Sequence, residues 1–220
     1  MEILVIIAAL LGLASLGNSS VALSKYIRRI LIIGDSITGT HYYDYINIPG
    51  AKVKGVFWGG QQVVYIAEHA LAEIKSFNPT DIVFIGGVNN IASQVVGHPK
   101  SDPIILAANV AKDLTTAWKM LYNKDRRLWI GSTTPWFGYT KYFGPGKSIS
   151  ELMKRVTLIT NEWIMKQEGK LYYKFIDTSP MGNSSNVMYK EYTKDGLHPY
   201  TIAGRKALAK IVQDTLIRGL

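Results

Sequence analysis

The sequence predicts an α/β protein, a three-layer α/β/α sandwich on about five parallel strands. Three observations predict it. Short apolar runs alternate with longer stretches of helical spacing, the pattern of a mostly parallel sheet covered by helices. Ser36, the Gly59-Gly60 turn, Asn89 and the loop 133–147 each follow a strand-like run. They therefore share the carboxyl rim of such a sheet, where parallel strands place ligands. Finally, no internal repeat or low-complexity linker interrupts the 220 residues, and the part after the first two dozen suits one sizeable core.

The elements follow in order. Ile30-Leu31-Ile32-Ile33 is a continuous apolar run and marks a strand over 29–34. Runs of the same character predict strands near 52–57, 81–86, 127–132 and 172–176. Between them, helical spacing predicts helices near 62–77, 103–122, 148–168 and 202–217. The helix at 103–122 opens on Asp102-Pro103, a cap followed by a first-turn proline. The last carries Ile202, Leu208, Ile211, Val212 and Leu216 on one stripe.

Composition narrows the classes. Hydrophobic residues make up 47% and charged residues 19%, which fits a globular chain and not a disordered one. The absence of cysteine removes disulfides, a thiol nucleophile and cysteine-ligated zinc. His41, His69, His98 and His198 show no metal-type spacing, so no metal is expected. Net charge is +9, with basic residues scattered among acidic ones. That reads as a solvated basic surface or as attraction to an anionic surface such as phospholipid or cell-wall polymer. With no basic helix and no aromatic ribonucleoprotein motif, nucleic acid is not an expected partner. Oligomeric state is left open.

Residues 3–16 form an uncharged apolar run, short for a membrane span and suited to a signal-peptide core. Ser20-Val21-Ala22 places small residues for cleavage after Ala22. Glu2 precedes the run, and Lys25, Arg28 and Arg29 follow it, the reverse of the usual leader. The expected division is a signal peptide or N-terminal hydrophobic anchor over 1–22 and a single domain over 23–220. The expected location is secreted, periplasmic or membrane-anchored.

Four short motifs carry chemistry. Gly34-Asp35-Ser36 puts a serine on the turn leaving the first strand, where it reads as a nucleophile or as a turn serine. The Gly-x-Ser-x-Gly elbow of α/β-hydrolases is absent. Asp195-Gly196-Leu197-His198 places an imidazole base beside a carboxylate able to fix its tautomer. Asn89, in Gly86-Gly87-Val88-Asn89-Asn90, offers an amide donor for a developing oxyanion. Gly59-Gly60 offers an unobstructed backbone N–H. Asp35 reads as local turn structure, and Arg28 and Arg29 read as solvated. His41, His69 and His98 read as surface or packing residues.

In their order and spacing these motifs resemble the four marker blocks of the SGNH hydrolases, or GDSL esterases and lipases. The resemblance spans about 34–200 and makes the expected sandwich flavodoxin-like. It implies a serine esterase without metal or cofactor. Ser36 would be the nucleophile, His198 the base and Asp195 its orienting carboxylate. Ser36, Gly60 (or Gly59 in the other register) and Asn89 would form the oxyanion hole. The chain departs from the family pattern at Ile37, which replaces leucine, and at Asn90, which replaces aspartate.

The loop 133–146 holds five aromatic residues, and a second cluster follows the nucleophile at His41-Tyr42-Tyr43-Asp44-Tyr45. These rings stack on sugars, line an acyl pocket or pack the loops. Trp136 and Tyr139 are the expected substrate contacts. The expected substrate is a short acyl (acetyl) ester on a carbohydrate. The alternatives are a lysophospholipase or thioesterase acting on lipid, and a surface binding module of the same fold without turnover.

Overall fold

A computed structural model of the chain describes residues 27–139 and 149–219. The leader or anchor expected over 1–22 and most of the second half of the aromatic loop lie outside the described residues. Within them, five strands form one sheet: β1 (Arg28–Gly34), β2 (Ala51–Phe57), β3 (Asp81–Ile85), β4 (Arg127–Gly131) and β5 (Tyr173–Ile176). All neighbouring pairs are parallel, in the order β2-β1-β3-β4-β5. This is the doubly wound, flavodoxin-like order. The chain moves from β1 to one side for β2, then returns past β1 to build β3, β4 and β5. The exits of β1 and β3 flank the point where direction reverses.

Among the described residues, five helices cover the sheet: α1 (Val63–Phe77), α2 (Val88–Gly97), α3 (Pro103–Leu121), α4 (Glu151–Lys166) and α5 (Ile202–Arg218). Right-handed crossovers put α1, α3 and α4 on one face, because β3, β4 and β5 are added in one direction. In agreement, α3 packs against both α1 and α4. Helix α5 packs instead on the short 3-10 turn Tyr42–Tyr45, in the β1–β2 connection. Covered on both sides, Ile30-Leu31-Ile32-Ile33 is wholly buried and β3 is buried along its length. That burial explains why the central strands read as unbroken apolar runs.

Helix α2 is absent from the sequence expectation. Gly86-Gly87 and Asn89-Asn90 read as a turn, since these residues disfavour helix interiors. The helix forms because Val88, Ile91, Ala92 and Val95 lie on one stripe and are all buried. Packing overrides propensity here.

Arg28 is not solvated. Its guanidinium grips Asp81 through two bonds of 3.0 Å and also donates to the Leu216 carbonyl. Arg127 reaches the same carboxylate at 2.8 and 3.0 Å, Trp129 Nε1 at 3.0 Å and Thr80 Oγ1 at 2.9 Å. One buried carboxylate thus joins the amino ends of β1, β3 and β4. Burial opposes its ionisation, but the Arg28 and Arg127 bonds prevail and lower its pKa. A lowered folded pKa adds stability that is present above the ordinary value of 3.8 and is lost as pH falls through the depressed one.

Replacing Asp81 with alanine should cost about 3 kcal/mol or more, because two arginines and an indole N–H lose their acceptor. Urea unfolding checks this. The wild-type advantage should shrink below about pH 4, where the carboxylate begins to protonate.

Candidate active site

Strand β1 ends at Gly34, packed hard against β3. A Cβ at Gly34 would lie 2.3 Å from the Ile85 carbonyl oxygen and 2.3 Å from Thr38 Oγ1, so only glycine fits. The chain then turns sharply. Asp35 Oδ1 accepts the Ile37 N–H at 2.9 Å, which closes a local side-chain turn around Ser36. Ser36 is left half-buried on the carboxyl rim of the sheet.

The partner motif lies just before α5. Asp195 Oδ1 accepts the Leu197 N–H at 2.9 Å, the His198 N–H at 2.8 Å and the Thr193 hydroxyl at 3.2 Å. The side chain therefore organises its own turn and leaves Oδ2 for the imidazole. Gly196 allows this geometry: its φ is +83°, and a Cβ there would meet the Gly138 backbone at 2.6 Å. The same close contact seats residues 138–139 against the turn.

These two segments, 162 residues apart in sequence, meet at His198. Its Nδ1 is 2.7 Å from Asp195 Oδ2, and its Nε2 is 2.8 Å from Ser36 Oγ. Burial disfavours the Asp195 charge. The His198 ring N–H, with the His198 and Leu197 backbone N–H groups, outweighs burial and holds the carboxyl well below the usual carboxylate range. An ionised Asp195 only accepts, so Nδ1 carries the proton. Nε2 is then the acceptor for the Ser36 hydroxyl.

The other two motifs sit at the neighbouring strand exits. Trp58 N–H bonds the Gly34 carbonyl at 3.0 Å and holds the exit of β2 to that of β1. A Cβ on Gly59 would lie 3.8 Å from Ser36 Cβ, which places this turn beside the serine; Gly60 has φ +73°. Asn89 Nδ2 donates to the Gln61 carbonyl at 3.1 Å and so bridges the Gly59-Gly60 turn and the start of α2. Asn90, where the family has aspartate, is buried. Its Oδ1 accepts the first N–H of α1, at Val63, and its Nδ2 donates to Asp113 Oδ2 on α3, each at 3.0 Å. An amide can both donate and accept, and this site uses both capacities.

The two expected substrate contacts separate. Trp136 is fully buried, with its indole N–H donating to Thr157 Oγ1 on α4 at 3.2 Å. It packs the loop onto α4 and does not line an open cleft; spacing alone could not tell an aromatic facing inward from one facing outward. Tyr139 does stand at the site, edge-on to His198 with ring centroids 6.5 Å apart. Tyr200, missing from the sequence expectation, lies closer, at 4.8 Å. Its position two residues after His198 was the available signal. Of the remaining histidines, His69 stacks on Tyr65, and His41 packs near Tyr43 and Phe57. A cavity of about 320 Å³ runs along the far side of Asp195, between Gly138, Val187 and Lys194. Among the described residues, no His, Cys, Asp and Glu group could hold a metal ion.

Neither a protein-family model nor a curated protein matches the sequence. Solved structures do. A GDSL-like lipase from Bacteroides thetaiotaomicron superposes with a TM-score of 0.63 at 19% identity, over 89% of this chain and 91% of that one. A lipase/acylhydrolase from Enterococcus faecalis gives 0.60 at 15%, over 87% and 96%. An acetyl xylan esterase gives 0.58 at 16%, over 86% and 99%. The chain therefore has the fold of the GDSL-like lipases and acylhydrolases, the fold that the four motifs imply.

Truncating Trp136 to alanine should cost about 3–5 kcal/mol, the price of removing a large core ring. Chemical denaturation measures it. Any loss of activity should then follow loss of folded protein and not depend on the substrate.

Proposed function

We propose that this chain is a serine ester hydrolase of the SGNH type, with Ser36, His198 and Asp195 as its triad. One observation carries the reading: the unbroken series from Ser36 Oγ to His198 Nε2 at 2.8 Å and from His198 Nδ1 to Asp195 Oδ2 at 2.7 Å. In this reading Ser36 Oγ attacks the ester carbonyl carbon as His198 Nε2 takes its proton. Asp195 stabilises the resulting imidazolium. The carbonyl oxygen becomes an oxyanion, held by the Asn89 amide and the Ser36 and Gly60 N–H groups. Collapse breaks the bond to the alcohol, which leaves with the proton from His198. Water, deprotonated by His198, then attacks the acyl-serine and releases the acid and the free serine.

The substrate we propose is a short acyl ester, such as acetyl, on a carbohydrate. Tyr139 and Tyr200 flank the base at a half-buried serine, where rings can stack on a sugar face. The likeness to an acetyl xylan esterase favours the same choice. We further propose that the apolar run 3–16 exports or anchors the protein, consistent with an extracellular polymer as substrate. A preference for long-chain esters or lysophospholipids would instead support the lipid alternative.

A fluorophosphonate probe should label the wild type covalently, and Ser36→Ala should abolish both labelling and ester turnover while the circular dichroism spectrum stays unchanged. A folded Ser36→Ala protein with wild-type turnover would refute the triad. A wild type that never labels would point to a binding module.

Asn89→Ala should lower kcat by roughly 10²–10³, or about 3 kcal/mol, with a smaller change in KM, because the bond is strongest in the transition state. Steady-state kinetics on acetylated oligosaccharides and p-nitrophenyl acetate distinguish this from a binding role, which would move KM.

A further inference from the structure

We propose that Asp35 is a positioning residue whose buried carboxylate ties the Ser36 turn to the Asn89 turn and responds to the charge of His198. The proposal rests on the hydrolase reading above. The mechanism there gives Asp35 no task, yet its surroundings are unusual. It is completely buried at the carboxyl rim, next to the nucleophile. Oδ1 holds the Ile37 N–H at 2.9 Å and thereby fixes the turn around Ser36. Among the described residues, Oδ2 has no hydrogen-bond partner. It faces the other turn instead: a Cβ on Gly86 would come within 3.6 Å of it, and the adjacent Gly87 N–H favours its charged form. Gly87 is the N-cap of α2, the helix that carries Asn89 in its first turn. One carboxylate thus lies between the nucleophile and the proposed oxyanion donor.

The titratable groups acting on it, among the described residues, are two. From the C-terminal loop, His198 favours the carboxylate. From the 3-10 turn on the opposite side comes Tyr42, whose phenol is pushed up by burial and by the Asp35 charge and so stays neutral. The exit of β3 presents only the glycine backbone. Among the described residues, no lysine or arginine compensates the charge. Burial accordingly pushes the Asp35 carboxyl up to about 6, against the pull of the Ile37 N–H, His198 and the Gly87 N–H.

A buried carboxylate without a cation opposes folding, and such groups are characteristic of functional sites. Here the charge has a use. When His198 accepts the serine proton, an imidazolium forms within the field of Asp35, and the ionised carboxylate favours that state. The same carboxylate holds the Ile37 N–H and lies against the Gly86-Gly87 backbone, and so relates the two turns that must face one carbonyl.

The sign of the linkage separates this role from a plain turn. Because the folded pKa is raised, the stability linked to Asp35 is fully present below 3.8 and is lost as pH rises through about 6. Asparagine keeps the shape and an acceptor for Ile37 but has no charge to bury. Asp35→Asn should therefore lower kcat on p-nitrophenyl acetate by about tenfold to a hundredfold while KM stays nearly constant. Its melting temperature relative to wild type should rise between pH 4 and pH 8. Turnover equal to wild type overturns the proposal. So does an equal loss of melting temperature at both pH values, which would mark a merely structural residue.

If the asparagine variant does not fold, carboxyl-carbon NMR of the wild type and of His198→Gln decides the matter. The Asp35 signal should titrate near pH 6 in the wild type and at higher pH without the imidazole. A titration indifferent to His198 refutes the coupling. A wild type that neither labels with fluorophosphonate nor hydrolyses esters fails the hydrolase reading itself. A labelling wild type with an indifferent asparagine variant fails only the role of Asp35.

Discussion

At the carboxyl rim the backbones of β1 and β3 meet with no space for a side chain between Gly34 and the Ile85 carbonyl. Parallel pairing carries the two strands to this point in register, with Gly34 opposite Ile85. The topology reverses here, so the loops that follow β1 and β3 diverge to opposite sides and leave a crevice between them. Ser36 leaves β1 two residues after Gly34, and Asn89 follows β3 by four. Their relation is therefore set by the register of the sheet and not by the loops that bear them. The β2 exit joins the same cluster through the bond from Trp58 N–H to the Gly34 carbonyl.

His198 arrives from a different direction and is held by different means. Asp195 satisfies three local donors with one oxygen and so builds a turn that needs little outside support. Gly196 then lets the backbone of Gly138 approach closely, which ties this turn to the loop after β4. The two halves of the site are thus each built by their own local contacts and meet at His198. Such an arrangement puts the 2.8 Å Ser36–His198 contact where two separately built pieces dock, the condition under which small geometric errors cost most.

Much of this was legible in the sequence because local patterns and global fold agree. The unbroken apolar run before Gly34 could only be a strand covered on both faces. Glycines and small polar residues at the strand exits marked the rim. What escaped was whatever depended on which way a side chain faces. Trp136 reads from its loop as a substrate contact, yet its indole N–H is satisfied within the core by Thr157. Arg28 reads as solvated, yet its partner Asp81 lies 53 residues away, and sequence gives no sign of such a pairing. Helix α2 was hidden because four of the five residues that lead into and open it, Gly86 to Asn90, are glycine or asparagine. Their capping and bridging roles outweigh their low propensity, as Asn90 demonstrates by bonding both α1 and α3.

The two fully buried aspartates show how the fold divides its tasks between the ends of the sheet. At the amino end, Asp81 is surrounded by two arginines, an indole N–H and a hydroxyl, and its pKa falls. At the carboxyl end, Asp35 has backbone N–H groups and a titratable imidazole but no permanent cation, and its pKa rises to about 6. The residue type and the burial are the same, so the difference lies in the partners. Compensated charge favours the folded state, whereas uncompensated charge opposes it and survives where local geometry depends on it. An arginine beside Asp35 would relieve that cost, but it would also place a fixed positive charge next to His198 and disfavour the imidazolium on which the proposed chemistry depends. Among the described residues, the lack of a cation at the rim thus suits the proposed role of His198 as a proton acceptor.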